Sequence, residues 1–98
     1  MSAGPLPREQ RVEAIRVAIE SALEPTELEI EDESHRHAGH AGAQDGRGHF
    51  RVAVVSGKFA GLNPIARHRA VYAAVGTMME TDIHALSISA KTPDEAAR

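Results

Sequence analysis

Pro25 separates two incompatible periodicities, and that switch constrains the fold of this chain more than any other feature. Before it, Val12, Ile15, Ile19 and Leu23, with Ala18 and Ala22, recur at three- and four-residue spacing from Arg8 onward. This spacing puts the apolar residues on one stripe of an amphipathic helix. The residue before a proline resists the helical conformation, so the helix must end there. After it, Leu28 and Ile30 alternate with Glu27, Glu29 and Glu31, the period of a short strand buried on one side. The chain therefore mixes a helix and a sheet within its first third.

A second strand is expected at His49–Ser56, HFRVAVVS, where β-branched residues dominate and Phe50, Val52 and Val54 share one face. The two strands are neighbours in sequence, and an antiparallel pair is the simplest arrangement. Between them, Ser34 to Gly48 has no periodicity and reads as a mobile connection. Asn63-Pro64 suits an N-cap followed by a first helical residue. A helix is expected from Pro64 to about Met79, with Ile65, His68, Val71, Tyr72 and Val75 on one side. Thr81 and Asp82 break it, and Ile83 to Ala90 forms a third strand. Thr92-Pro93-Asp94-Glu95 then has the composition of a helix start, with few residues left to continue it.

The order α-β-β-α-β implies an α+β layer, a three-stranded sheet with helices on one face. At 98 residues the chain is a single domain, and with only 3% aromatic residues its core must be aliphatic. Residues 1–7 are Pro/Gly-rich and expected to be frayed, the domain runs over 8–95, and 96–98 form a tail.

Composition narrows function. The formal net charge of −3 argues against a polyelectrolyte binder of nucleic acid. No apolar run is long enough for a membrane span, and the N-terminus lacks the organisation of a secretory signal. There is no cysteine, so neither a disulfide scaffold nor a cysteine nucleophile is available; a reducing compartment fits, and the cytoplasm is the default. With no Gly-rich phosphate loop and no HExxH motif, an enzyme is the weakest reading. There are, however, six histidines. His35, His37, His40 and His49 fall within fifteen residues, and His84 opens the later segment IHALSISA. Neutral imidazole is a common metal ligand. Such a chain can contribute part of a soft-metal site, and the thiolates must come from a partner.

Several blocks carry a family resemblance: Asp32–Ser34 (DES), His49–Leu62 (HFRVAVVSGKFAGL), Arg67–Tyr72 (RHRAVY), Ile83–Ile88 (IHALSI) and Lys91–Glu95 (KTPDE). Together they resemble the BolA family over about residues 8 to 95. The resemblance implies a fold similar to class II KH domains. It also implies a complex with a monothiol glutaredoxin that shares a [2Fe–2S] cluster, and a part in iron homeostasis. Some bacterial members are described as transcriptional regulators of stress response and cell shape.

The family's C-terminal histidine corresponds to His84. Its loop ligand corresponds to His37, with His35 and His40 as alternates, which places the chain in the histidine-loop subgroup. The resemblance then implies a cluster with two sulfur ligands, from the glutaredoxin cysteine and glutathione, and two nitrogen ligands from this chain. Ligation by histidine makes such a centre pH-sensitive, weakening below about 6.5, the unperturbed imidazole value. His49 reads mainly as a strand-entry residue. His68, between two arginines, reads as a packing or hydrogen-bonding residue instead of a ligand.

The turn carrying Lys58, Phe59 and Gly61, with Arg67, His68 and Arg69, is the expected surface for the partner or for nucleic acid. DNA binding is the alternative function. Against it, the turn FAGLNP has Gly61 but no second glycine three residues on, so the GxxG clamp of KH domains is missing. A weak homodimer of the free chain stays open.

Overall fold

The computed structural model describes residues 6–34 and 47–98. Among these, α1 (Arg8–Leu23) leads into β1 (Glu27–Asp32), and β2 is Gly48–Val55. A 3₁₀ turn (Gly57–Phe59), α2 (Pro64–Val75) and a short α3 (Met78–Thr81) follow. The chain closes with β3 (Ile83–Lys91) and the single turn α4 (Pro93–Ala96).

The end of α1 shows how local rules act. Glu24 takes the left-handed conformation at φ 46° just before Pro25. The helix stops because Pro25 denies its predecessor the helical region. The α1 stripe buries Ile15, Ile19 and Leu23 as their spacing predicts, but its buried set begins at Arg11.

The sheet order is β1-β2-β3. β1 and β2 are antiparallel, from Glu27 opposite Val55 to Asp32 opposite Phe50. β2 and β3 are parallel, so the chain between them must cross over, and α2 and α3 make that crossing. As the central strand, β2 supplies Phe50, Val52 and Val54 to the core. Leu28 and Ile30 from β1 and Leu86 from β3 flank them, and α1 and α2 cover this face. Each such side chain, fully buried, contributes about 1.5–3 kcal/mol. The opposite face carries Glu29, Glu31, Arg51 and Ser89; there Arg51 donates to Glu31 at 2.7 Å, which holds its guanidinium above the usual range.

The structure departs from expectation in three places. The helix expected to reach Met79 ends at Val75, where Gly76 turns out of it at φ 58°, and restarts as α3. Its inward side is Ala70, Val71, Ala74 and Val75, whereas Ile65 (64% exposed), His68 and Tyr72 face outward. The expected side was too wide because Val71 and Val75 alone define the buried stripe. At the N-terminus, Leu6 belongs to the stretch expected to be frayed, yet its N–H donates to Asp82 Oδ1 at 2.7 Å.

Candidate functional site

The junction of β2 and β3 is built around an irregularity. Gly48 pairs with Ile83, but His49 pairs with Ala85, so His84 is the extra residue of a bulge. Simple alternation would put His84 on the same face as Leu86 and Ile88. The bulge resets that alternation: Ile83 and Leu86 are both buried, and His84 is exposed. Bulges commonly re-aim a side chain beside a functional site and are uncommon between parallel strands.

The redirected imidazole meets two neighbours. Its ring centroid lies 5.1 Å from that of His49, the planes tilted by 45°. Arg47 NH2 stands 3.3 Å from His84 Nδ1, while Arg47 NH1 donates to the carbonyl of Met79 at 3.4 Å.

His49 is held through its backbone. Its N–H donates to Ser34 Oγ at 3.1 Å, and its carbonyl accepts from Glu33 N–H at 2.8 Å. Ser34 N–H in turn donates to Asp32 Oδ1 at 2.8 Å. The Asp32–Ser34 block thus acts as a turn that grips the start of β2, the role short Asx and Ser side chains perform best. Gly48 is required for space: a Cβ there would lie 2.6 Å from Ser34 Oγ and 2.7 Å from the Phe50 ring.

Two residues before His84, Asp82 anchors the start of β3. It is 2% exposed and Arg11 5%, and Arg11 Nε lies 3.2 Å from Asp82 Oδ1. Thr81 Oγ1 donates to Asp82 Oδ2 at 2.7 Å, and Gly48 N–H donates to the Asp82 carbonyl at 2.9 Å. A buried carboxylate is tolerable only when paired and hydrogen-bonded in this way. Nothing in the sequence marks Arg11 and Asp82 as partners, because 71 residues separate them.

The remaining expected site residues divide. His35, His37 and His40 lie outside the described residues. Phe59, expected on the partner surface, is fully buried and belongs to the core. Arg67 is engaged with its own chain: it pairs with both Glu95 oxygens at 2.6 and 3.1 Å and donates to the carbonyls of Leu62 and Ala90. Its guanidinium also lies 6.0 Å from the Phe59 ring centroid. Lys58 is exposed and pairs with Glu24 at 3.3 Å, and His68 and Arg69 are exposed. Gly61 has φ 81°, a conformation that favours glycine, so its role is to let the turn close.

Sequence reasoning missed Ser56. Its hydroxyl is wholly buried, donates to the Leu23 carbonyl at 2.6 Å and accepts from Lys58 N–H at 3.1 Å. One side chain thereby ties the end of α1 to the 3₁₀ turn, and the Ser-Gly-Lys order was the available signal.

As a donor set, the described residues bring together two imidazoles, His49 and His84. No group of three or more His, Cys, Asp or Glu side chains suited to a metal occurs among them. No helix among the described residues is long and apolar enough to cross a membrane.

Comparison with known proteins agrees with this fold. A family model described as BolA-like protein matches residues 19–95. The chain is 46% identical over 91 residues to Protein BOLA1, chloroplastic, of Arabidopsis thaliana, covering 90% of this chain and 57% of that protein. It therefore spans little more than half of that relative's length. It is 36% identical over 83 residues to the DNA-binding transcriptional regulator BolA of Escherichia coli strain K12, covering 85% of this chain and 76% of that one. Among solved structures, the BolA domain of SufE1 from Arabidopsis thaliana superposes with a TM-score of 0.77 at 42% identity, over 87% of this chain and 94% of that one. With the order of its elements, the covered face of its sheet and these matches in accord, the chain belongs to the BolA-like family.

Proposed function

We propose that this chain is a non-enzymatic adaptor that binds a monothiol glutaredoxin and supplies imidazole ligation to a [2Fe–2S] cluster passed between proteins. The observation that carries this reading is the bulge that turns His84 out of the core face and sets it 5.1 Å from His49. A surface imidazole on a bulge two residues from a buried, fully bonded carboxylate suits a ligand that must be offered to a partner. The chain has no cysteine, so the sulfur ligands come from the glutaredoxin and from glutathione. When bound, the cluster supplies redox chemistry and iron–sulfur cargo. The chain's own part is to position nitrogen donors, His84 first and a loop histidine, His37 or its alternates His35 and His40, second. The cytoplasm is the compartment we assign to this activity.

The test is a titration of cluster-loaded monothiol glutaredoxin with this chain, followed by visible absorption and circular dichroism. A changed cluster spectrum that His84→Ala abolishes is expected. An unchanged spectrum with the native chain would remove the reading.

DNA binding is the second reading, supported by the name of the Escherichia coli relative, a DNA-binding transcriptional regulator. Its surface here is thinner than the sequence implies, because Arg67 is committed to Glu95 while Arg69 stays exposed. Phosphate contacts would make binding fall steeply with salt, and a salt-insensitive or absent isotherm would eliminate it.

A further inference from the structure

Arg47 stands against the Nδ1 nitrogen of His84, and the guanidinium restricts what that contact can be. A guanidinium has five N–H donors and no acceptor. With Arg47 NH2 3.3 Å from Nδ1, that nitrogen must present its lone pair. The proton of the neutral ring is then on Nε2. Neither nitrogen is open to coordination, since Nε2 carries hydrogen and Nδ1 is covered by a cation.

We propose that Arg47 is a gate on His84, holding the imidazole in a non-ligating tautomer until the guanidinium is displaced. The inference rests on the reading of His84 as a ligand and concerns how that ligand is released. Coordination at Nδ1 requires Arg47 to leave directly. Coordination at Nε2 requires the proton to move, through solvent, from Nε2 to Nδ1. The new Nδ1–H would then confront an arginine donor, whereas a ligating histidine needs an acceptor at its second nitrogen. Either route expels Arg47 from its place.

The local geometry favours a gate over an incidental contact. Arg47 is braced on its other side by the Met79 carbonyl at 3.4 Å, so its fork spans from α3 to the bulge. It directly precedes Gly48, whose backbone is tied to Asp82 and whose site has no room for a side chain. The base of Arg47 is therefore fixed by the backbone, and neither of these side-chain contacts is part of the strand pairing. A free chain so arranged would resist adventitious divalent metals and offer His84 only when a partner draws the guanidinium off.

The test uses the full chain alone, without glutaredoxin. Imidazole ¹⁵N NMR should show His84 protonated on Nε2 in the native protein and on Nδ1 in Arg47→Glu, whose carboxylate accepts from that nitrogen. Titration with Co²⁺, read at the His84 resonances, should reach its midpoint at roughly tenfold lower metal in Arg47→Ala, the scale of one lost charge-assisted hydrogen bond. His84→Ala, followed at the neighbouring His49 resonances, should erase the gain in metal binding that Arg47→Ala confers. A native His84 protonated on Nδ1, or equal Co²⁺ midpoints in native and Arg47→Ala proteins, overturns the gate even if the cluster titration depends on His84. A Co²⁺ difference alongside a silent cluster titration leaves the gate standing and removes the proposed adaptor function.

Discussion

An arginine–carboxylate pair stands at each end of β3, and the two differ in what surrounds them. Arg11–Asp82 lies just before the strand, with side chains 6% and 3% exposed. Arg67–Glu95 lies just past it, with side chains 14% and 37% exposed. The first pair is sealed under the helices and also binds Leu6 N–H and Thr81. The second clasps α4 against α2, and Glu95 completes a capping box with Thr92. Like chemistry therefore does different work. The buried pair fixes the start of β3, whereas the exposed one is a clasp that protons can reach.

Removing one member of the buried pair should have the largest effect. Asp82→Ala strands the Arg11 charge in the core, and a broken buried pair costs about 3–5 kcal/mol. Urea unfolding should show that loss, and the His84 resonances should broaden or shift with it. The double change Arg11→Met with Asp82→Leu should recover most of the stability, because well-packed apolar residues often replace a buried ion pair without loss. Failure of the double variant to recover would mean that the hydrogen bonds from Leu6 and Thr81, more than charge pairing, carry this end of the strand.

A smaller break at the same end comes from Gly48→Ala. The added Cβ must push Ser34 Oγ or the Phe50 ring, and such overpacking costs about 1–3 kcal/mol. Loss of protection from hydrogen exchange at the His49 amide, which Ser34 Oγ accepts, is the specific signature. A fully stable variant with that amide still protected would show that the added Cβ is accommodated without displacing Ser34.

The clasp at the far end should respond to acid. Glu95 is lowered from 4.5 to about 2, first by its hydrogen bond from Arg67 and then by the Thr92 backbone N–H. A carboxyl lowered in the folded state stabilises it above the unfolded value, and that contribution is lost as pH falls from 4.5 through about 2. Amide shifts in Thr92–Ala97 should follow this window while those around His84 follow it less. Glu95→Gln should abolish the transition; its persistence would assign the acid response to another carboxylate.

Legibility in the sequence follows the same division between local and distant causes. The stop at Pro25, the Asn63-Pro64 start of α2 and the Thr92–Glu95 cap were readable because each needs only neighbouring residues. The inward face of β2 was readable because alternation is a local rule. Periodicity overreached in α2, where Ile65 and Tyr72 sit at core-like spacing yet face outward beside a helix that covers only part of the sheet. The family blocks pointed to His84 but not to Arg47 beside it, nor to the burial of Phe59 within the expected partner surface.

The core expected to be aliphatic also takes in both phenylalanines, Phe50 and Phe59. Periodicity, proline and cap residues by themselves determined the order of the main elements and the supply of imidazole without thiolate. Those properties depend on residue type and on spacing within a turn or a strand. The outward aim of His84, the pairing of Arg11 with Asp82 and the placing of Arg47 on Nδ1 were decided only in three dimensions. Each depends on strand register and on side chains distant in sequence, and a single bulge residue changes which face an imidazole presents.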